Sequence, residues 1–222
     1  FGGVAFYISY ISALFFLQFF FENQDSLTLL VGISVLFFIG LFDDLLNIKA
    51  KVKFFGQVLG VALLMSQSDF RIIFMHGFMG VYEIPLTVSV IGSMFFLLAL
   101  INAFNLLDGI DGLSAITGII VASFYSYMFY KLGYFYYLSI SITTVATLLA
   151  FLRFNFSVRR KIFMGDTGSL TIGLVLGLLT LKLMSADTIY TSLNFFPKQL
   201  PLFLIAVLFV PILDICRVMM IR

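Results

Sequence analysis

Residues 27–46 read LTLLVGISVLFFIGLFDDLL, with no charge before Asp43-Asp44. A helix of about 20 apolar residues crosses the hydrocarbon core of a bilayer, whereas a barrel strand needs about 10 residues that alternate. This run does not alternate, so it predicts a membrane-crossing helix that ends on two carboxylates. Similar runs recur on either side of it. The spans predicted are 3–21, 27–46, 52–67, 86–104, 113–131, 133–152, 168–185 and 200–221. The expected fold is therefore all-α, a polytopic transmembrane bundle of about eight spans. The third span is short and polar at its ends (Gln57, Ser66, Gln67). The seventh carries Gly168, Gly173 and Gly177, which permit close helix approach. Pro211 is expected to kink the last span. Segment 69–85 is too short and interrupted to cross, and its β-prone runs around His76-Gly77 predict a short hairpin on the outer face.

Composition supports this reading. The chain is 62% hydrophobic and 11% charged, against about 25% charged in a soluble domain. Its 222 residues are filled by the spans, so 1–222 is read as a single membrane domain. One cysteine, Cys216, excludes a disulfide framework and a cysteine zinc site. No nucleic-acid-binding pattern is present. The chain starts at Phe1 and ends at Arg222 directly after an apolar run, and is read as a fragment.

Span parity assigns the loops to two sides. One side holds Lys49, Lys51, Lys53, Arg153, Arg159, Arg160, Lys161, Arg217 and Arg222; the other holds Arg71, Lys131, Lys182 and Lys198. The richer side is expected to be cytoplasmic. Three acidic motifs fall there: Asp43-Asp44, Asp108-Gly-Ile-Asp111, and Gly165-Asp166-Thr-Gly168. The single histidine, His76, falls on the opposite side and is read as structural.

Two adjacent carboxylates at membrane depth repel one another unless a cation compensates. Asp43 and Asp44 are thus either a metal- or phosphate-handling pair or an interfacial cap paired with Lys49, Lys51 or Lys53. Asp108 and Asp111, three apart, would share one face of a helix, as would Asn102 and Asn105. Such oxygen-rich groups suit Mg²⁺, which usually brings phosphates. Asp166-Thr-Gly-Ser opens the seventh span, where free N–H groups and the positive helix end favour an anion. Lys49-x-Lys-x-Lys53 serves as a topology signal, as phosphate attraction, or both. Asp214 is paired by spacing with Arg217 and read as structural.

The stretches GLFDDLLNIKAKVKFFGQ, NAFNLLDGIDGLSA and FNFSVRRKIFMGDTGSL, with FGGVAF at the start, resemble the polyprenyl-phosphate N-acetylhexosamine-1-phosphate transferases. The resemblance covers essentially the whole chain and favours the branch that uses UDP-N-acetylglucosamine. It implies that undecaprenyl phosphate attacks the β-phosphate of a UDP-amino sugar, giving a lipid-diphospho-sugar and UMP. It implies Mg²⁺ or Mn²⁺, an active site at the cytoplasmic face of the bacterial inner membrane, and a homodimer. By motif position Asp166 and Asp44 would ligate metal, and Asp43, Asp44, Asp108 and Asp111 would be catalytic. Asn105, Lys53, Asn155 and Phe163 would bind substrate, with Phe163 stacking on uracil. The sequence departs from the family at Asn47, where many relatives have a third acid. It also lacks a first span and a histidine-rich loop after the last one, which leaves the activity of the stretch alone open. The competing expectation is a transporter or ion pathway, since intramembrane acids also mark proton and cation routes.

Overall fold

The structure, a computed structural model, describes residues 2–21, 25–186 and 199–221. Lys198 and Arg222 of the charge count lie outside them. The helices are α1 (Gly2–Phe20), α2 (Asp25–Leu46), α3 (Ala50–Leu64), α4 (Leu86–Leu107), α5 (Leu113–Leu132), α6 (Phe135–Asn155), α7 (Gly165–Met184), α8 (Leu200–Val207) and α9 (Phe209–Ile221). A 3-10 turn, Ser68–Phe70, and the strands β1 (Phe74–Phe78) and β2 (Val81–Glu83) lie between α3 and α4. Among the described residues, six helices are long and apolar enough to cross a membrane, and seven if α8 and α9 form one bent span. The chain is a multi-pass membrane protein. Of the roughly eight spans expected, α3 is the one this length measure does not count, because it has only 15 residues. At 1.5 Å per residue it reaches about 22 Å, short of the ~30 Å core.

The centre of the bundle is α7. It is 94% buried over its apolar window, whereas no other crossing helix exceeds 50%. It packs against α1, α2, α4 and α5. Glycine makes this possible by removing side chains at the crossings. A Cβ on Gly40 of α2 would lie 2.5 Å from the Cα of Thr167, and one on Gly173 would lie 2.8 Å from the Cα of Ile101 in α4. Both obstacles are backbone, so neither can swing aside. Gly40→Val should therefore destabilise the bundle by about 3 kcal/mol, read as a lower melting temperature in detergent. Buried hydroxyls add ties between helices: Tyr10 donates to Thr144 at 2.9 Å, and Tyr125 and Thr180 share a 2.6 Å hydrogen bond.

At the C-terminal end of α7, Lys182 pairs with Asp69, and His76 Nε2 meets the Met184 carbonyl at 3.0 Å. The hairpin is antiparallel, with Phe74 opposite Glu83 and Phe78 opposite Val81. Its tight turn is Met79-Gly80, both at positive φ (51° and 81°), as two-residue hairpins of this hand require. His76 and Gly77, around which the sequence centred it, are also at positive φ and lie in the irregular stretch of the ladder. The last span breaks by 68° between α8 and α9. Pro211 lies in the first turn of α9; it has no N–H to offer the Val207 carbonyl, and its ring crowds that position.

Candidate active site

The three acidic motifs meet at the opposite end of α7 from the hairpin. Asp166 is in the first turn of α7, and its carboxylate is the meeting point. Lys53 of α3 donates from Nζ to Asp166 Oδ2 and, at 2.9 Å, to Asp43 Oδ2 of α2. Asn105 of α4 donates to Asp166 Oδ1 and, at 3.0 Å, to Ser169 Oγ. The Asp43 and Asp166 carboxylates thus share the one Lys53 ammonium. The side chains of Lys53 and Asp43 are each only 15% exposed, so this is a recessed cluster rather than a solvated surface pair.

Asp43 and Asp44 point to different tasks. Asp44 Oδ1 accepts the Asp166 N–H at 2.8 Å, and Oδ2 accepts the Thr167 N–H at 3.0 Å and the Thr167 hydroxyl. It thus occupies free donors of the α7 N-terminus, the work of an N-cap done by a residue of another helix. Gly165, at φ +70°, allows the close fit, since a Cβ there would sit 2.7 Å from Asp44 Oδ2. The other wall is α1, whose Gly2 and Gly3 N–H groups donate to the carbonyls of Phe163 and Met164 at 3.0 and 3.2 Å.

Asp108 and Asp111 do not share a helix face. Helix α4 ends at Leu107, and residues 108–111 form a turn before Gly112, at φ +75°, opens α5. Asp108 is half-buried, and its carboxyl feels the charges of Asp166 and Asp44. Asp111 is exposed on the rim and paired with Lys161. The Lys161 ammonium also lies 5.2 Å from the centroid of the Phe163 ring, which is 64% exposed. Asn155 is not in the cleft: it is buried at the end of α6 and donates to the Ile162 carbonyl at 3.0 Å, holding the loop that leads to Phe163. Arg217 and Asp214 form the expected pair, at 2.6 Å. Sequence reasoning missed Ser169, Thr167 and the partnership of Gln57 with Asn102 (3.0 Å). The signal for the last was present, since Gln57 is one turn from Lys53 and Asn102 one turn from Asn105.

Burial pushes the Asp108 carboxyl up to about 7, opposed by the Gly165 N–H and reinforced by Asp166 and Asp44. A raised acid favours folding in its protonated form. Its stabilising contribution is full below the unfolded value near 4 and is lost as pH rises through about 7. The melting temperature should therefore fall across that window, and Asp108→Asn should flatten the fall.

The oxygen donors suit a divalent cation. Among the described residues no three acidic, histidine or cysteine side chains converge as a complete metal cage. Mg²⁺ does not need one: it is usually held by one or two carboxylates, with water and substrate phosphates completing its shell. Of the pair Asp166 and Asp44 that the resemblance implies, Asp44 is taken up by the α7 N-terminus, so Asp43 and Asp166 would be the pair, with Lys53 offsetting only one of their two charges.

A model described as glycosyl transferase family 4 matches residues 26–184. Over 220 residues the chain is 33% identical to the probable undecaprenyl-phosphate N-acetylglucosaminyl 1-phosphate transferase of Bacillus subtilis (strain 168), covering 96% of this chain and 57% of that one. It is 29% identical over 236 residues to the decaprenyl-phosphate N-acetylglucosaminephosphotransferase of Mycobacterium leprae (strain TN), with 96% and 58% covered. A phospho-N-acetylmuramoyl-pentapeptide-transferase of Clostridium perfringens (strain SM101 / Type A) is 34% identical over 152 residues, or 61% of this chain and 45% of that one. The chain thus spans a little over half the length of the first two relatives.

Proposed function

The chain belongs to glycosyl transferase family 4, and from that membership and the carboxylate cleft we propose that it carries the catalytic centre of a polyprenyl-phosphate N-acetylhexosamine-1-phosphate transferase. The donor is a UDP-N-acetylhexosamine, most simply UDP-GlcNAc, and the acceptor is undecaprenyl phosphate. The observation that carries this reading is the convergence of Asp43, Lys53, Asn105 and Asp166, drawn from three separate motifs, into one recessed cluster. The excess of basic residues on that side supports a cytoplasmic face.

In the proposed reaction an oxygen of the lipid phosphate forms a bond to the β-phosphorus of the UDP-sugar. The bond from that phosphorus to the oxygen bridging to the α-phosphate breaks, and UMP leaves with the bond electrons. A phosphate monoester has its second pKa near 6, so the acceptor is already a nucleophile at neutral pH. The protein's task is to align two anions and balance their charge. Lys53 supplies a fixed positive charge, and Asn105 holds Asp166 in one orientation. Asp43 and Asp166 would hold Mg²⁺, which when bound neutralises charge developing on the phosphates. Phe163, open on the rim beside Lys161, offers a ring on which uracil can stack. The resemblance adds a homodimer, measurable by light scattering in detergent.

A transporter reading would place acids along a path through the bilayer, whereas the three motifs gather at one end. The deciding experiment uses membranes containing the full-length protein. UMP release from UDP-GlcNAc should require both undecaprenyl phosphate and Mg²⁺ and should stop with EDTA. Proton flux without UMP release would reject the reading.

A further inference from the structure

Two polar rungs tie α3 to α4. One is Lys53–Asp166–Asn105, bridged by the first turn of α7. The other lies one turn away on both helices, four residues along α3 and three back along α4. There Asn102 Nδ2 donates to Gln57 Oε1 at 3.0 Å and to its own Leu98 carbonyl at 2.7 Å. Gln57 is 1% exposed, and its Nε2 is buried with no hydrogen-bond partner among the described residues. An apolar pair of similar volume would leave no donor unmet, so stability alone does not favour these amides.

Helix α3 needs a device that fixes its rotation. It is short, and it meets α2 at glycine notches, with Gly56 against Ile39, Gly60 against Val35 and Leu64 against Gly32 of α2. Its Val52, Phe54, Phe55, Leu59 and Leu63 face outward. These contacts lie in the middle and far half of α3, about one turn or more beyond Lys53, and a slip by one residue would swing Lys53 about 100° around the helix axis. Among the described residues, Gln57–Asn102 is the direct side-chain hydrogen bond joining α3 to α4.

We infer that Gln57 and Asn102 are positioning residues for the transfer reaction: their amide bridge locks α3 in the rotation that delivers the Lys53 ammonium to Asp43 and Asp166, opposite Asn105. The inference rests on the transferase reading above. The bridge acts through Lys53 and does not touch the substrates.

The experiment uses the full-length protein purified in detergent, with Gln57→Leu, Asn102→Leu and the exchanged pair Gln57→Asn/Asn102→Gln. Each leucine variant should lose about 10- to 100-fold in kcat, with KM for UDP-GlcNAc nearly unchanged and the loss persisting at temperatures well below melting. The exchanged pair keeps two amides of the same summed length and should regain most of kcat. In a Lys53→Met background, Gln57→Leu should add no further loss. Leucine variants with full kcat, an exchanged pair as slow as the single variants, losses that add to that of Lys53→Met, or losses that disappear well below melting would each overturn the inference. A wild-type protein that releases no UMP overturns the transferase reading itself, and this inference with it.

Discussion

Asp166→Asn is expected to lower kcat for UMP release about a thousandfold while leaving a folded, membrane-inserted protein. The substitution keeps the size of the side chain and removes one charge at the point where three elements meet. Lys53 is then held by Asp43 alone, and Asn105 faces a group with one acceptor oxygen instead of two. A thousandfold loss corresponds to about 4 kcal/mol of transition-state stabilisation. That is the scale measured when one preorganised electrostatic group is deleted or one partner of a buried ion pair is removed. Folding should tolerate the change, because α7 is held along its length by glycine-mediated crossings and its N-terminus is capped by Asp44 rather than by Asp166 itself. Glu83→Gln, at the exposed strand of the opposite end, serves as the control and should leave kcat unchanged. Equal activity of Asp166→Asn and wild type would remove Asp166 from the reaction.

How much of this was legible in the sequence depended on whether the determining contact was local. Membrane spans are read from twenty adjacent residues, and the acids' common side from counting those spans. Both follow from the run of charges and apolar residues alone. The short α3 was harder, because hydropathy continued past Leu64 into Met65 without saying where the helix hydrogen bonds stop. The spacing of Asp108 and Asp111 suggested a shared helix face, yet Gly109 and Gly112 lie in a turn that sends one acid inward and the other to Lys161. The hairpin was visible, but two consecutive positive-φ pairs compete for its turn, and only strand register chooses Met79-Gly80. Least legible were the jobs of Asp43 and Asp44. Their neighbours in sequence are identical in kind, and what separates them is the rotation of α2 against α7, set where Gly40 meets Thr167. Helix caps are ordinarily sought within four residues; this one comes from 122 residues away.

That separation gives the second large effect. Asp44→Ala should lower kcat at least about a hundredfold and lower the melting temperature as well. Three hydrogen bonds to one carboxylate disappear, and the Asp166 and Thr167 N–H groups are left facing a small void. Loss of an N-cap alone costs about 1–2 kcal/mol. The remainder of the effect comes through Asp166, whose backbone Asp44 holds and whose side chain must meet Lys53 and Asn105 together. Asp44→Asn separates this role from direct chemistry. Asparagine caps helices about as well as aspartate, although its single carbonyl oxygen can serve only part of the three-donor set. If Asp44 acts as a cap, the asparagine variant should recover most of the stability and stay within about tenfold of wild-type kcat. If instead its charge acts on metal or phosphate, removing that charge is what matters. Asp44→Asn would then be as slow as Asp44→Ala while melting like the wild type, and the division of labour between the two adjacent aspartates would have to be redrawn.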